Sequence, residues 1–131
     1  MPNQTQAAMT PPNDKRPFPF ESKQIIDPAV LAQLQQDVSE AGYCELLALF
    51  LTQGEERVAM IGRAIADGDF ATLASEIHSF KSESATFGAI PLAELTGHIN
   101  ALCNQGDKNQ ALATAQGIKA VWSLVRQALE T

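Results

Sequence analysis

Residues 67–91 read DGDFATLASEIHSFKSESATFGAIP, and this stretch decides the fold. Gly68 suits the left-handed end of a preceding helix, and Asp69 suits the N-cap of the next. Gly88 is a stop, and Pro91 sits where the first turn of a following helix would begin. Between these signals Phe70, Leu73, Ile77, Phe80, Ser84 and Phe87 recur every three or four residues. That period predicts a helix from about Phe70 to Phe87 with one buried face. Ser84 falls in the middle of that face. A small side chain there lets two helices close up, and its hydroxyl can bond back to a carbonyl one turn earlier.

On a helical wheel of about 100° per residue, His78 points about 120° away from the centre of the apolar face. Its same-face neighbours are Ala71, Ala74, Ser75, Lys81, Ser82 and Ala85, and all but Lys81 are small. A buried structural histidine would be ringed by large apolar groups. Small neighbours instead let another protein's surface approach the ring. Lys81, one turn on, brings an ammonium that favours a phosphoryl group on a ring nitrogen and counters its charge. Taken alone, a histidine beside a lysine on a helix is most often an ordinary solvated face.

Working outward, the same period recurs on both sides. Asp27-Pro28 is an N-cap followed by a helix-compatible proline, opening a short helix through Val30, Leu31 and Leu34 to near Glu40. A long helix is expected from about Gly42 to Ala66 on Leu46, Leu47, Phe50, Leu51, Gly54, Val58, Ile61 and Ile65. After Pro91 a fourth helix uses Leu92, Leu95, Ile99 and Leu102 and closes at Gly106-Asp107. A fifth carries Ala111, Leu112, Ala115, Ile118, Val121, Trp122, Val125 and Leu129. No segment alternates with period two for long enough to make a strand. Short linkers make consecutive helices antiparallel neighbours. The expected fold is all-α, an antiparallel up-and-down four-helix bundle with a short leading helix. Residues 1–20 hold five of the seven prolines and read as a flexible tail, leaving 21–131 as the domain.

Composition limits the function classes. A chain of 131 residues with 45% hydrophobic content builds one core without staples. Nine basic against fifteen acidic residues give a formal charge of −6, which disfavours nucleic acid and anionic membrane partners. No apolar run approaches a membrane span, and the start lacks the basic-then-apolar order of a signal peptide, so a cytoplasmic location is expected. Cys44 and Cys103 read as small buried hydrophobes in a reducing compartment. With two histidines and no Cys/His cluster, no metal site is expected. No glycine-rich phosphate loop or nucleotide motif is present.

The segment His78-Ser79-Phe80-Lys81-Ser82-Glu83-Ser84-Ala85-Thr86-Phe87-Gly88-Ala89 resembles the signature of histidine phosphotransfer (HPt) domains. His78, Phe80, Lys81, Ser84, Gly88 and Ala89 match it. Leu47 to Leu51, Gly68-Asp69, Leu92, Leu95, Ile99 and Gly106-Asp107 resemble its flanks, so the likeness covers about Asp27 to Leu129. One position departs: Ser82 stands where the family usually has glycine, which leaves less room for a partner. The resemblance implies a phosphorelay intermediate. His78 would accept a phosphoryl group through Nε2 from a receiver-domain aspartyl phosphate and pass it to another receiver, with Lys81 stabilising it. Ala71, Ala74, Ser75, Ser82 and Ala85 would line the docking face, and Ser84 and Gly88 would serve helix packing. The implied partners are response-regulator receiver domains and a hybrid sensor histidine kinase. The chain would need no cofactor, since the receiver brings the Mg²⁺. It would carry phosphohistidine without kinase activity of its own.

Two other readings compete. A helical adaptor that kept the fold without being phosphorylated would bind a signalling partner. A metal-carboxylate bundle enzyme needs inward-facing Glu-x-x-His pairs. Here Glu94 and His98 stand four apart and Glu76 and His78 two apart. His98 reads as a partly exposed bystander and Trp122 as core.

Overall fold

The structure is a computed structural model and describes residues 24–130. The tail expected over residues 1–20 lies outside them. The described residues form six helices and no strand: α1 (Pro28–Asp37), α2 (Glu40–Asp67), α3 (Phe70–Thr86), α4 (Ile90–Asn104), α5 (Lys108–Ala115) and α6 (Ile118–Glu130). Helix α2 packs on α3, α3 on α4, and α4 on α5 and α6, and α6 returns to α2, so the long helices enclose one core.

The local signals work as read at most boundaries. The Asp27 carboxylate accepts the Ala29 N–H at 3.0 Å, with Pro28 following at the first helical position. Gly68 ends α2 at φ 67, a conformation that costs glycine little. The boundary between α1 and α2 differs from expectation. Helix α1 stops at Asp37, Val38 is extended, and α2 already begins at Glu40. The cause is Ser39, whose hydroxyl accepts the Gly42 N–H at 3.0 Å and so caps α2 two residues earlier.

The expected fifth helix is two. At its break the Gln116 N–H bonds Ala113 O at 3.3 Å and the Gly117 N–H bonds Thr114 O at 3.2 Å, so the chain tightens to i→i−3 turns before α6 starts. Gly117 disfavours continuation by about 1 kcal/mol relative to alanine. The apolar face survives the break: Ala111, Ala115, Ile118, Val121, Trp122 and Val125 are all buried.

The core centres on Phe50, Phe80, Phe87 and Trp122. Phe50 stacks on Phe87 with centroids 4.5 Å apart, and Trp122 meets Phe50 edge-on at 5.5 Å. Gly54 makes the room. A Cβ there would sit 2.1 Å from the Trp122 ring. The indole N–H reaches the Glu55 carboxylate at 2.8 Å, which also pairs with Arg126 at 2.6 Å. The hydrogen bond from Trp122 holds the Glu55 carboxyl below the usual range.

The cysteines correct one expectation. Both are free; Cys103 is only half-buried and Cys44 is exposed on α2. Partial burial pushes the Cys103 thiol up.

Candidate functional site

Helix α3 is anchored at both ends, and this fixes which residues it presents outward. At its start the Asp69 carboxylate accepts the Thr72 N–H at 3.1 Å and the Thr72 hydroxyl at 2.7 Å, which holds its carboxyl below the usual range. Along the inner face Leu73, Ile77, Phe80 and Ser84 have no exposed surface. The Ser84 hydroxyl donates to Phe80 O at 2.7 Å, which satisfies a buried polar group within its own helix. At the far end the Ala89 N–H bonds Ser84 O at 2.9 Å and the Gly88 N–H bonds Ala85 O at 3.1 Å. Gly88 has φ 63, and a Cβ there would lie 2.9 Å from Val30 Cβ and 3.1 Å from Asp27 O. Glycine is required for both the conformation and the approach.

That approach belongs to a strap preceding α1. The Asp27 N–H donates to Gly88 O at 2.8 Å, and the Ile90 N–H donates to Ile25 O at 3.0 Å, around an antiparallel bridge between Ile26 and Ala89. The end of α3 is therefore held by backbone hydrogen bonds from a distant part of the chain.

The outer face is the one anticipated. His78 is exposed, and Ala71, Ser75, Ser82 and Ala85 around it are exposed, with Ala74 half-buried. Among the described residues no hydrogen bond engages the imidazole or the Ser82 hydroxyl, and no carboxylate pairs with the exposed Lys81 ammonium. His98 is exposed on α4 and likewise has no described partner. Glu94 is exposed too, and Glu76 is bound to Arg57, so neither of the two candidate carboxylate–histidine pairs faces inward. No group of three or more His, Cys, Asp or Glu among the described residues stands ready to hold a metal ion. No described helix is long and apolar enough to cross a membrane.

Sequence periodicity did not single out Arg57. Its guanidinium, on α2, donates from Nε to Glu83 Oε1 at 2.9 Å, from Nη2 to Glu83 Oε2 at 2.6 Å, and from Nη1 to Glu76 Oε1 at 2.8 Å. The side chains are 20%, 28% and 19% exposed for Arg57, Glu83 and Glu76. The hydrogen bonds it donates to Glu83 do most to raise the guanidinium above its ordinary pKa. Beside it a depression of about 230 Å³ is lined by Gln53, Glu56, Arg57, Met60 and Glu76. A cation at the edge of the apolar stripe of α2, with two glutamates seven apart on α3, was the available signal.

Helix α3 thus buries one face wholly and, on the other, presents the exposed His78 imidazole among small side chains, with the exposed Lys81 one turn on. The Hpt domain family model matches residues 45–131, and the chain belongs to that family. Its role is histidine phosphotransfer in two-component signalling, where such domains work with receiver domains. Among solved structures it is similar to histidine-containing phosphotransfer protein B (HptB) from Pseudomonas aeruginosa PAO1. The identity is 31%, the TM-score is 0.74, and the match covers 83% of this chain and 94% of that one. No curated protein sequence matches it.

Proposed function

We propose that His78 is the phosphoacceptor of this domain. The observation that carries this reading is the exposure of His78 at the middle of α3, turned away from the buried face, with small residues on every adjoining helical step but that of Lys81. In the forward step the unprotonated Nε2 attacks the phosphorus of an aspartyl phosphate on a receiver domain. The new N–P bond forms as the P–O bond to the aspartate breaks, and the carboxylate leaves with the electron pair. The proton already on Nδ1 stays on the ring, which becomes a phosphorylated imidazolium until solvent takes that proton. Passage to a second receiver runs the same exchange in reverse.

Such transfer needs in-line positioning and charge neutralisation more than acid–base chemistry. Lys81, unpaired among the described residues, is the cation this chain supplies. The receiver brings the Mg²⁺, and the chain itself uses no cofactor. Ala71, Ala74, Ser75, Ser82 and Ala85 form the docking face, extended by the adjoining long helix α2. Partner domains are response-regulator receivers and a hybrid sensor histidine kinase, in the cytoplasm. The scaffold beneath is a four-helix up-and-down bundle of α2, α3, α4 and the α5–α6 arm, with α1 as the leading helix.

Incubation with a phosphorylated receiver tests the assignment. An acid-labile, base-stable phosphate is expected on the wild-type chain and lost in His78→Gln, with helicity unchanged. Equal labelling of the variant, or a label mapped to His98, overturns it.

A further inference from the structure

Three hydroxyls on α3 and α4 are consumed within their own helices. Ser84 donates to Phe80 O at 2.7 Å, Thr86 to Ser82 O at 3.0 Å and Thr96 to Leu92 O at 2.7 Å. Each is tied to the carbonyl one turn back, and a hydroxyl has only one proton to donate. Ser82 differs. The carbonyl one turn behind it is that of His78, and among the described residues its hydroxyl donates neither there nor elsewhere. The side chain is exposed, so this donor is open to a group carried on the imidazole.

Direction decides which hydroxyl on this face reaches the ring. At about 100° per residue Lys81 stands about 60° to one side of His78 and Ser82 about 40° to the other. Both lie one turn toward the C-terminus, and helical Cα–Cβ bonds tilt toward the N-terminus. Both therefore lean over the turn that carries the imidazole, as neighbours whose Cβ atoms are about 5–6 Å from that of His78. Ser75, also exposed, lies a turn before His78, and its Cα–Cβ bond tilts away from it. Ser79 follows His78 directly, and adjacent residues on a helix do not face one another. A phosphoryl group on the ring thus has a cation on one flank and a neutral donor on the other.

We propose that the Ser82 hydroxyl donates a hydrogen bond to a non-bridging oxygen of the phosphoryl group on His78 and so prolongs its retention. The proposal rests on His78 being the acceptor. In loss to water, the water oxygen bonds phosphorus as the P–N bond breaks. The imidazole, protonated on Nδ1, leaves neutral with the electron pair, and both protons of the water stay on the phosphate until solvent takes one. The hydrogen bond from Ser82 is made in the resting phosphoprotein and is given up as the group departs, so it slows that loss.

The test needs no partner protein. Phosphoramidate labels histidine directly: its P–N bond breaks as the bond to Nε2 forms, and its nitrogen, already carrying three protons, leaves as ammonia with the electron pair. The wild-type chain, Ser82→Ala and Ser82→Gly are labelled in this way, freed of phosphoramidate and followed for loss of phosphohistidine. Both variants are expected to lose the label about threefold to tenfold faster than wild type, the effect of one hydrogen bond to the group. A merely structural role would separate them, because alanine favours a helix more than serine does and glycine favours it less. Ser82→Ala should accordingly melt no lower than wild type while its label decays faster. A wild-type lifetime in Ser82→Ala overturns the proposal, whether or not Ser82→Gly is shortened. His78→Gln, treated alike, keeps the two readings apart. If it takes the label, the acceptor assignment fails and the proposal with it; if it does not, the lifetimes judge Ser82 alone.

Discussion

The two faces of α3 are made of the same helix and answer to different demands. The inner face, Leu73, Ile77, Phe80 and Ser84, is wholly buried, and its one polar atom bonds within the helix. The outer face carries His78, Ser75, Ser82 and Ala85, all exposed, with no described hydrogen bond on the imidazole. Stability is concentrated on the first face, and the proposed acceptor stands on the second. A helix divided this way lets His78 be altered at little cost to the fold, and it lets the fold be weakened without touching His78.

The sharpest break in this contrast is Phe80→Ala. Truncating a fully buried phenylalanine costs about 3–5 kcal/mol, which chemical denaturation would read directly. Transfer per folded molecule should persist, because Phe80 touches only the core. A small change in stability would mean that the inner face does not hold the helix.

Ser82→Trp is the opposite experiment. The bulky ring should block transfer from a receiver, with little change in melting. A wild-type rate would move the docking face elsewhere.

Lys81→Ala should act on transfer more than on stability. A charge-assisted bond to a phosphoryl group contributes about 1.5–3 kcal/mol, or about one to two decades in rate or phosphohistidine lifetime. An exposed lysine contributes at most about 1 kcal/mol to folding. Unchanged kinetics and lifetime would make Lys81 an ordinary surface charge.

The smallest effect expected is with pH. Glu55 and Asp69 both have folded-state carboxyls held below their ordinary values, through Trp122 and Thr72 respectively. The stability they add is fully present above the unfolded carboxylate pKa and is lost as pH falls through the folded values. A melting series toward acid should show a gradual decline, shallower in Glu55→Gln. An identical slope in that variant would remove Glu55 from the account.

Much of this architecture is legible in the residues. The stripe over Phe70 to Phe87 and the stops at Gly68 and Gly88 place α3 to within a residue, because caps and helical period are local. The exposure of His78 follows from the same wheel. The division of the last arm into α5 and α6 is not legible, since both halves keep one apolar phase across Gly117. The α1–α2 boundary turns on a serine hydroxyl that composition does not weigh. Arg57 escapes periodicity because its partners lie on another helix, and the fork to Glu83 exists only once α2 and α3 are side by side. The depth of Trp122 was expected, but the glycine opposite it reads as one more stripe position until its missing Cβ is placed against the indole.

The strap from Ile25 to Asp27 has a consequence for the order of assembly. Its partners are backbone groups of Gly88 and Ile90. Those groups are presented together only after α3 has ended and α4 has begun. The helical hairpins between them are built from nearby contacts, which form quickly, while closing the long loop back to the strap carries an added entropic cost. Residues synthesised early are thus seated late. The glycine that ends the phosphotransfer motif is also the latch that tells the leading segment the hairpin is in place.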